Sequence, residues 1–425
     1  MKAVVVLTSF LAVFFGWAGL AQAADAAVID KADTAWLMVS TALVMFMVPG
    51  LAVFYAGMAR KKNVLSTIMH SFFILCLITV QWIMAGYTLS FGPDINGFIG
   101  SLDFLGLNGV GVEPKGTIPH LLFMAFQGMF AAITVALITG AFAERIKFSA
   151  VVVFSILWAF IVYDPLCHWV WGGGWLQKLG VLDFAGGIVV HISSGVSALV
   201  AAIYIGRRRG WPRELMAPHN LTLTVIGMGI LWFGWFGFNA GSALASDGIA
   251  VGAFVATNVA AAIGTLTWGF VEWAHRGKPT MLGAMSGAVA GLGSITPAAG
   301  FVSPAAALAI GFAGGALCYI AVTILKPKFG YDDTLDVFGI HGVAGTWGTL
   351  ATGIFASIGA TGLIHGNPDL LMKQAIGALV TIVLSAVGTL VILKAIDMTI
   401  GIRVTTEEEI QGLDLTQHEE SGYSL

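Results

Sequence analysis

Two histidines lie within apolar stretches of this 425-residue sequence, and each follows an aspartate. His191 ends the motif DFAGGIVVH, which begins at Asp183, and His341 ends DVFGIH, which begins at Asp336. A neutral imidazole has one donor and one acceptor nitrogen, so two such rings can share a hydrogen bond without ionising. If the fold brings them together, the pair is a polar spot suited to a small molecule that exchanges a proton near neutral pH.

Two other interpretations of these histidines remain. They could be unrelated core residues that bond to backbone carbonyls, or they could ligate a metal. The metal interpretation is weak because no carboxylate or thiolate motif accompanies them, and two histidines are too few for a closed site. Cys76, Cys167 and Cys318 are widely spaced in apolar runs, which is typical of packing residues. We therefore predict no metal and no cofactor.

A second candidate site consists of aromatic residues near one hydroxyl group. Phe126 and Phe130 are four residues apart and share a helix face, as do Phe238 and Ser242, while Trp171 lies within WVWGGGW. Aromatic faces with a hydroxyl can hold a small cation by cation–π attraction and a hydrogen bond. An ordinary aromatic belt at a membrane interface is the alternative.

The two aspartates that open the histidine motifs have a simpler expected role. Asp183 and Asp336 each stand where a predicted span begins, so we expect both to cap the free N–H groups of a helix start. Their charge would also support a cation site electrostatically, Asp183 on the external side and Asp336 on the cytoplasmic side.

The composition assigns the chain to the membrane. Apolar residues make up 57% and charged residues 10%, against about a quarter charged in soluble domains. The net charge of −3 and the absence of a long basic tract give no indication of nucleic-acid binding. An apolar stretch of about 20 residues is long enough to span a bilayer. We predict an all-α integral membrane protein with eleven spans, near 34–58, 66–91, 118–142, 149–168, 184–206, 220–241, 248–273, 281–298, 302–325, 337–357 and 373–397.

The chain begins with a targeting pattern. Lys2 precedes an apolar run, and Ala21-Gln22-Ala23 fits the small-x-small cleavage site of a signal peptide. We expect residues 1–23 to be cleaved, although a retained helix is the alternative. Residues 24–402 would form the membrane domain, and residues 403–425 a cytoplasmic tail that is mostly solvated, with at least part of GLDL (412–415) docked.

The distribution of basic residues predicts the orientation. Fifteen of the 20 lysines and arginines fall in alternate loops or close the last span, and four fall in the opposite set. This asymmetry predicts an external N-terminus and a cytoplasmic C-terminus, as eleven spans require. His191 lies in the fifth span and His341 in the tenth. Because five is an odd number of crossings, a second copy of a five-span unit enters the membrane in the opposite orientation. We therefore predict a 5+5 inverted repeat followed by one C-terminal helix.

From about Ala32 onward, the sequence resembles the ammonium transporter family (Amt/MEP/Rh), in its bacterial Amt branch. The motifs that carry the resemblance are AFQGMF, GAFAERI, WGGGW, DFAGGIVVH, GWFGFNAGS, GKPTMLGAMSGAVAGL and DVFGIHG.

The resemblance implies a homotrimer in the cell inner membrane, with one conduction path through each subunit. It implies that Phe126, Trp171 and Ser242 recruit ammonium or methylammonium, and that Phe130 and Phe238 are stacked rings blocking the path. His191 and His341 would line the pore, and Asp183 would support the recruitment site. It further implies a PII-type regulator at the cytoplasmic face.

Three functional classes follow from these patterns. A transporter that deprotonates ammonium and conducts ammonia fits them best. An ammonium sensor of the same fold would need a cytoplasmic partner, since the tail is too short for a signalling domain. A membrane enzyme is not expected, because neither GxSxG nor HExxH occurs in the spans.

Overall fold

The computed structural model describes residues 28–423, which form a bundle of long helices. The predicted signal peptide at 1–23 lies outside this range. Nine helical segments of the described chain are long and apolar enough to cross a membrane. They are Lys31–Met58, Lys61–Phe91, His120–Phe142, Phe148–Leu179, Gly187–Ile205, Leu221–Gly241, Gly248–Arg276, Pro304–Phe329 and Pro368–Thr399.

Two shorter helical segments complete the bundle. Met281–Ile295 is an apolar helix of 15 residues. The helix Val343–Phe355 continues from a π-helical turn, Phe338–Gly342, which contains His341. Helices thus occupy all eleven predicted segments, but the number that cross the membrane stays a prediction.

Several long segments change helix type along their length. The α-helical parts are Lys31–Met58, Val64–Gln81, Tyr87–Phe91, His120–Phe142, Phe148–Trp158, Asp164–Trp171, Trp175–Leu179, Ser193–Ile205, Leu221–Gly241, Gly248–Arg276, Met281–Ile295, Pro304–Ile320, Lys326–Phe329, Val343–Phe355, Pro368–Thr399, Thr406–Gln411 and Leu413–His418. The π-helical turns are Trp82–Gly86, Ala159–Tyr163, Gly187–Ile192, Ala321–Leu325 and Phe338–Gly342. Short 3₁₀ turns are Lys61–Asn63, Leu105–Leu107 and Leu363–His365. Two small antiparallel hairpins pair Asp94–Ile95 with Ile99–Gly100, and Pro114–Lys115 with Ile118–Pro119.

Short polar side chains fix the start of several helices. Asp30, Asn220, Asp247, Thr280 and Ser303 each accept a hydrogen bond from a free N–H group in the first turn. These groups have no partner within the helix, and in lipid no water would replace one. The caps therefore set where the apolar segments begin.

The first long helix packs along the helix Leu221–Gly241, which carries the FNAG motif. The contact is close because Gly227 lies directly against the backbone of Phe54. Small residues permit such contacts where lipid gives no hydrophobic drive for helix association. The first helix carries FYAG at 54–57, which is weakly similar to FNAG at 238–241, so these two short segments lie on helices that pack together.

The loops at one end of the bundle carry most of the basic residues and are joined by charged side chains. We call this the basic end, and the ion cluster consists of Arg60, Glu144, Arg208 and Asp332. Arg208 donates from Nε and Nη2 to the two carboxylate oxygens of Asp332, at 2.9 and 2.8 Å. Glu144 accepts from Nε of Arg60 at 2.7 Å and from Nη1 of Arg208 at 3.5 Å. Four separate loops are therefore held together.

Arg145 lies beside this cluster and is fully buried. Its guanidinium donates to Thr334 Oγ1 and to four backbone carbonyls, those of Ala141, Ala143, Gly206 and Asp332. Burial lowers the pKa of Arg145 to about 10, so the side chain stays charged at neutral pH. The GAFAERI motif thus supplies a buried cation that fixes the surrounding backbone.

The C-terminal segment packs on the basic end. Leu413 of GLDL is fully buried, and its N–H group donates to Oδ1 of Asn63 at 2.8 Å. Asp414 accepts the backbone N–H of Ser66 at 2.8 Å. The described part of the tail is therefore docked on the loop after the first helix, with GLDL at the contact.

Candidate functional site

His191 and His341 lie together in the interior of the bundle. Their Nδ1 atoms are 3.2 Å apart, and the ring planes are inclined by 18° with centroids 5.3 Å apart. Both side chains are buried. One ring must donate and the other accept in this contact, so the neutral pair adopts complementary tautomers.

The local backbone explains how two helices bring these rings so close. Each histidine lies in a π-helical turn, Gly187–Ile192 or Phe338–Gly342, and a glycine follows four residues later. Gly195 lies against the backbone of Gly342, and a Cβ atom on Gly345 would lie 2.7 Å from Cβ of His191. Any larger residue at either glycine would push the two turns apart. The glycine four residues after each histidine is therefore needed for the two helices to cross this closely.

Two phenylalanine rings stack on the side of the histidines away from the basic end. Phe130 and Phe238 have centroids 4.2 Å apart and ring planes 30° apart. Trp171 stands perpendicular to Phe130 at 6.1 Å. Phe126 packs against Phe130 at 4.9 Å and is completely buried. The four aromatic residues predicted as a cation site are thus neighbours.

An open cavity of about 220 Å³ ends on the rings of Phe130 and Trp171, and we call it the aromatic cavity. Ser242 lies at its wall, and its hydroxyl donates to the carbonyl of Phe238 at 2.8 Å, which leaves the oxygen lone pairs free to accept. Phe126 does not line the cavity; it lies behind Phe130. The lining comprises Phe91, Phe123, Gln127, Phe130, Trp171, Gln177, Asp183, Phe184, Ser242, Leu244 and Phe301.

Two further cavities lie beyond the stacked rings. The histidine cavity, about 20 Å³, is lined by His191, His341, Trp235, Phe238 and apolar side chains, and has room for about one water-sized molecule. The basic-end cavity, about 760 Å³, shares the side chain of Phe54 with it. Wide cavities therefore flank a narrow, mostly apolar segment that contains one polar pair.

The carboxylate of Asp183 is fully engaged by the start of its own helix. Its two oxygens accept the N–H groups of residues 186–189 at 2.7 to 3.1 Å. The carbonyl of Asp183 also accepts the indole N–H of Trp171 at 2.8 Å. Asp183 thus caps its helix as expected and holds Trp171 in place.

The expected cap at Asp336 is wrong. Asp333 takes that role, because its Oδ2 accepts the N–H of Phe338 at 2.8 Å. Asp336 has a φ of 61°, and its side chain binds Nζ of Lys326 at 2.6 Å. The left-handed turn at Asp336 directs its side chain away from the free N–H groups, which the nearby Asp333 reaches.

Two residues of the site were not found from the sequence. Trp235 stacks on His191 with centroids 5.5 Å apart and planes 19° apart. Its indole N–H donates to Oγ1 of Thr296 at 3.0 Å. Trp235 precedes Phe238 by three residues on one helix, so a shared face could have indicated it. Nothing in the sequence indicates that Thr296 is its partner.

Comparisons with known proteins identify the family and the fold. The model of the Ammonium Transporter Family matches residues 35–423. An ammonium transporter of Bacillus subtilis (strain 168) is 54% identical over 403 residues, covering 93% of this chain and 99% of that protein. The crystal structure of Candida albicans Mep2 superposes with a TM-score of 0.86 at 37% identity, covering 93% of this chain and 94% of that one. A structure described as a sensor Amt protein gives a TM-score of 0.86 at 30% identity, covering 91% and 98%. This multi-pass helical membrane protein belongs to the Ammonium Transporter Family.

Proposed function

We propose that this protein recruits ammonium in the aromatic cavity, removes its proton and conducts ammonia past the histidine pair. The observation that carries the proposal is the contact of 3.2 Å between Nδ1 of His191 and Nδ1 of His341 within a narrow, otherwise apolar segment. Ammonia is small, neutral and able to both donate and accept hydrogen bonds. A single imidazole pair in apolar surroundings suits such a molecule.

Recruitment is assigned to the aromatic faces and the serine hydroxyl. Trp171 and Phe130 offer ring faces to a cation, and the hydroxyl oxygen of Ser242 can accept one N–H bond. Phe126 has no face on the aromatic cavity, so its contribution passes through its contact with Phe130. Methylammonium keeps a charged ammonium group and is a second expected substrate.

The stacked rings of Phe130 and Phe238 close the path below this cavity. A molecule passes only when the rings rotate apart, and water is otherwise kept from the histidines. Ammonium gives up its proton at or below these rings, so that ammonia and H⁺ are the products of the step. The neutral product then enters the histidine cavity.

Selectivity follows from the cost of taking an ion out of water. Potassium and ammonium are similar in size, but potassium can neither lose a proton nor make directional hydrogen bonds. A permanent ion entering an apolar segment loses its hydration without adequate compensation, at several kcal/mol per ion. Deprotonation removes that penalty for ammonium alone.

Asp183 is assigned a supporting role. Its carboxylate is already occupied by four N–H groups, so no oxygen is left to bind an ion directly. Its carbonyl fixes the indole of Trp171, and its negative charge adds a favourable potential for a cation nearby. Asp336, paired with Lys326, acts electrostatically at the wall of the basic-end cavity.

The topology, assembly and location are proposed on the same basis. The concentration of basic residues favours a cytoplasmic basic end, with the aromatic cavity outside. We further propose eleven crossings in a 5+5 inverted repeat and a homotrimer in the inner membrane. The chain would consist of a cleaved segment 1–23, a membrane domain 24–402 and a tail 403–425. The docked tail and the basic-end cavity offer a surface for a PII-type regulator.

An ammonium sensor acting through a partner is the second candidate. The similarity to a sensor Amt protein is its support, at 30% identity. The higher identity of 54% to an ammonium transporter favours transport.

Methylammonium uptake tests the proposal. Cells that express the wild type should accumulate methylammonium, and cells with His191→Ala should lose uptake or its selectivity over potassium. Wild-type protein without uptake would favour the sensor, and unaltered selectivity in the variant would remove the histidines from the mechanism.

In proteoliposomes on a solid-supported membrane, a transient current would show that the proton also crosses. A normal ammonia flux without current would show that only ammonia crosses.

A further inference from the structure

A lysine of this chain already places an ammonium group over two aromatic rings beside the aromatic cavity. Nζ of Lys115 lies 4.6 Å from the ring centroid of Phe123 and 5.9 Å from that of Phe91. The two rings contact each other edge-on, with centroids 5.0 Å apart and planes 83° apart. Both distances are within the range in which a ring face attracts a cation. The rings therefore form a seat for one ammonium group.

The seat adjoins the proposed recruitment site. Phe91 and Phe123 line the same cavity as Phe130, Trp171 and Ser242. A small cation in this cavity could thus contact either set of rings without leaving it. The hairpin Pro114–Lys115 with Ile118–Pro119 leads directly into the helix His120–Phe142, which holds Lys115 close to Phe123.

No acidic side chain accounts for the position of Lys115. Among residues 28–423, Lys115 forms no ion pair, whereas Lys178 at the same end of the bundle binds Asp94 at 2.5 Å. Burial lowers the pKa of the Lys115 ammonium, and no neighbouring carboxylate offsets this effect. The ammonium group of Lys115 therefore lies over two ring faces in a partly desolvated position, with the rings and not a carboxylate as its partners.

We propose that Phe91 and Phe123 form a second ammonium site, and that the side chain of Lys115 is a tethered competitor for it. Lysine carries a primary alkylammonium group, the same class of cation as ammonium and methylammonium. A tethered competitor raises the substrate concentration needed to fill the site, because the substrate must displace it. The inference rests on the proposed recruitment of ammonium in the aromatic cavity.

Uptake of labelled methylammonium by proteoliposomes at graded concentrations, a measurement that does not require net charge movement, tests this proposal. Lys115→Met keeps an apolar stem on the rings and removes the charge, and should lower the half-saturation concentration about two- to fivefold, the range for one partly exposed cation–π contact. The maximum uptake rate should stay unchanged. Lys115→Arg keeps a competing cation and should behave like the wild type.

Lys373→Met is the matched control for general charge. Lys373 lies near Gly180 at the same end of the bundle, and no cation–π contact of Lys373 occurs within 28–423. This variant should leave the half-saturation concentration unchanged. An equal decrease in Lys373→Met and Lys115→Met would show general repulsion and overturn the proposal.

A double variant distinguishes the effect of the rings on apparent affinity from the effect of the lysine charge. Adding Phe123→Leu to Lys115→Met should abolish the gain in apparent affinity, because one face of the seat is lost. A gain that persists in the double variant, or no gain in Lys115→Met, would overturn the second site. Thermal unfolding in detergent identifies a misfolded variant, and Phe91→Leu then replaces Phe123→Leu. Wild-type protein without any ammonium-dependent flux would instead contradict the proposed function.

Discussion

At the scale of single residues, the orientation of His191 depends on Trp235, a neighbouring side chain in the wall of the histidine cavity. Trp235 stacks on His191, and Thr296 holds the indole by its N–H group. Phe238 lies beyond the same imidazole at 6.2 Å. His191 is thus fixed by packing as well as by His341, and the histidine pair is preorganised.

Thr296→Val tests the anchor of Trp235. Valine has nearly the same shape but cannot accept the indole N–H, and an unsatisfied buried donor costs about 1–3 kcal/mol. We expect Trp235 to shift, with lower methylammonium uptake and weaker discrimination against potassium in proteoliposomes. Thr381→Val is the control, since the Thr381 hydroxyl bonds within its own helix, to the carbonyl of Gly377. Equal uptake and selectivity in the wild type and both variants would contradict this role of Thr296.

Residue types and their spacing can be read from the sequence, but only some of the contacts that these residues make could be predicted from it. The histidine motifs predicted a pair because they share an order of residues, and Asp183 caps a helix as aspartates commonly do. Asp333 and Asp336 are three residues apart, and only the left-handed backbone at Asp336 decides which one caps the helix. Lys115 reaches its rings from a hairpin, a tertiary contact that no periodicity reveals.

At the scale of elements, the site depends on two helices that cross at their π-helical turns. The turns Gly187–Ile192 and Phe338–Gly342 both lie directly before an α-helix. The echo between the two motifs predicted that these segments are related. The π-helical geometry could not be predicted, because it depends on the contact between the turns. Gly345 shows this contact most clearly, because a Cβ atom there would meet Cβ of His191.

Gly345→Ala should separate the two turns. The added methyl group would lie 2.7 Å from Cβ of His191 and 2.8 Å from the carbonyl oxygen of Gly187, both too close. Overpacking of this kind costs about 1–3 kcal/mol. We expect a lower unfolding temperature in detergent and reduced ammonium flux. Gly252→Ala is the control, since a Cβ atom on Gly252 meets nothing within 4 Å of the described chain. A normal flux in Gly345→Ala would contradict the requirement for close crossing.

At the scale of the whole molecule, composition and charge distribution predicted a helical membrane protein, whereas the structure of its basic end could not be predicted. Apolar segments of sufficient length require a bilayer whatever their neighbours are. The ion cluster instead joins loops far apart in sequence, since Glu144 contacts both Arg60 and Arg208. The tail docks beside it because Arg403 donates to the carbonyl of Arg207 at 2.7 Å and Glu409 accepts the backbone N–H of Arg209 at 2.6 Å. The basic end therefore couples the loops to the C-terminus.

Asp332 gives this coupling a defined pH dependence. Burial alone would raise the pKa of Asp332, but hydrogen bonds from Arg208 and the charges of Arg208 and Arg145 hold it below its ordinary value. The folded state thus favours the ionised carboxylate. Its contribution to stability is complete above the pKa of the unfolded chain, about 4, and is lost as the pH falls through the lower folded value.

Asp332→Asn should therefore destabilise the protein at neutral pH and much less in acid. Removing one partner of a buried ion pair costs about 3–5 kcal/mol, and Arg208 would retain only its longer contact with Glu144. Thermal unfolding in detergent should show a clear difference between wild type and variant at pH 7, narrowing as the pH falls below about 4. Asp103→Asn, at an exposed aspartate, should match the wild type throughout. A difference that stayed constant into acid would mean that Asp332 acts through its shape, and the ion pair would then contribute nothing measurable to the coupling of the loops.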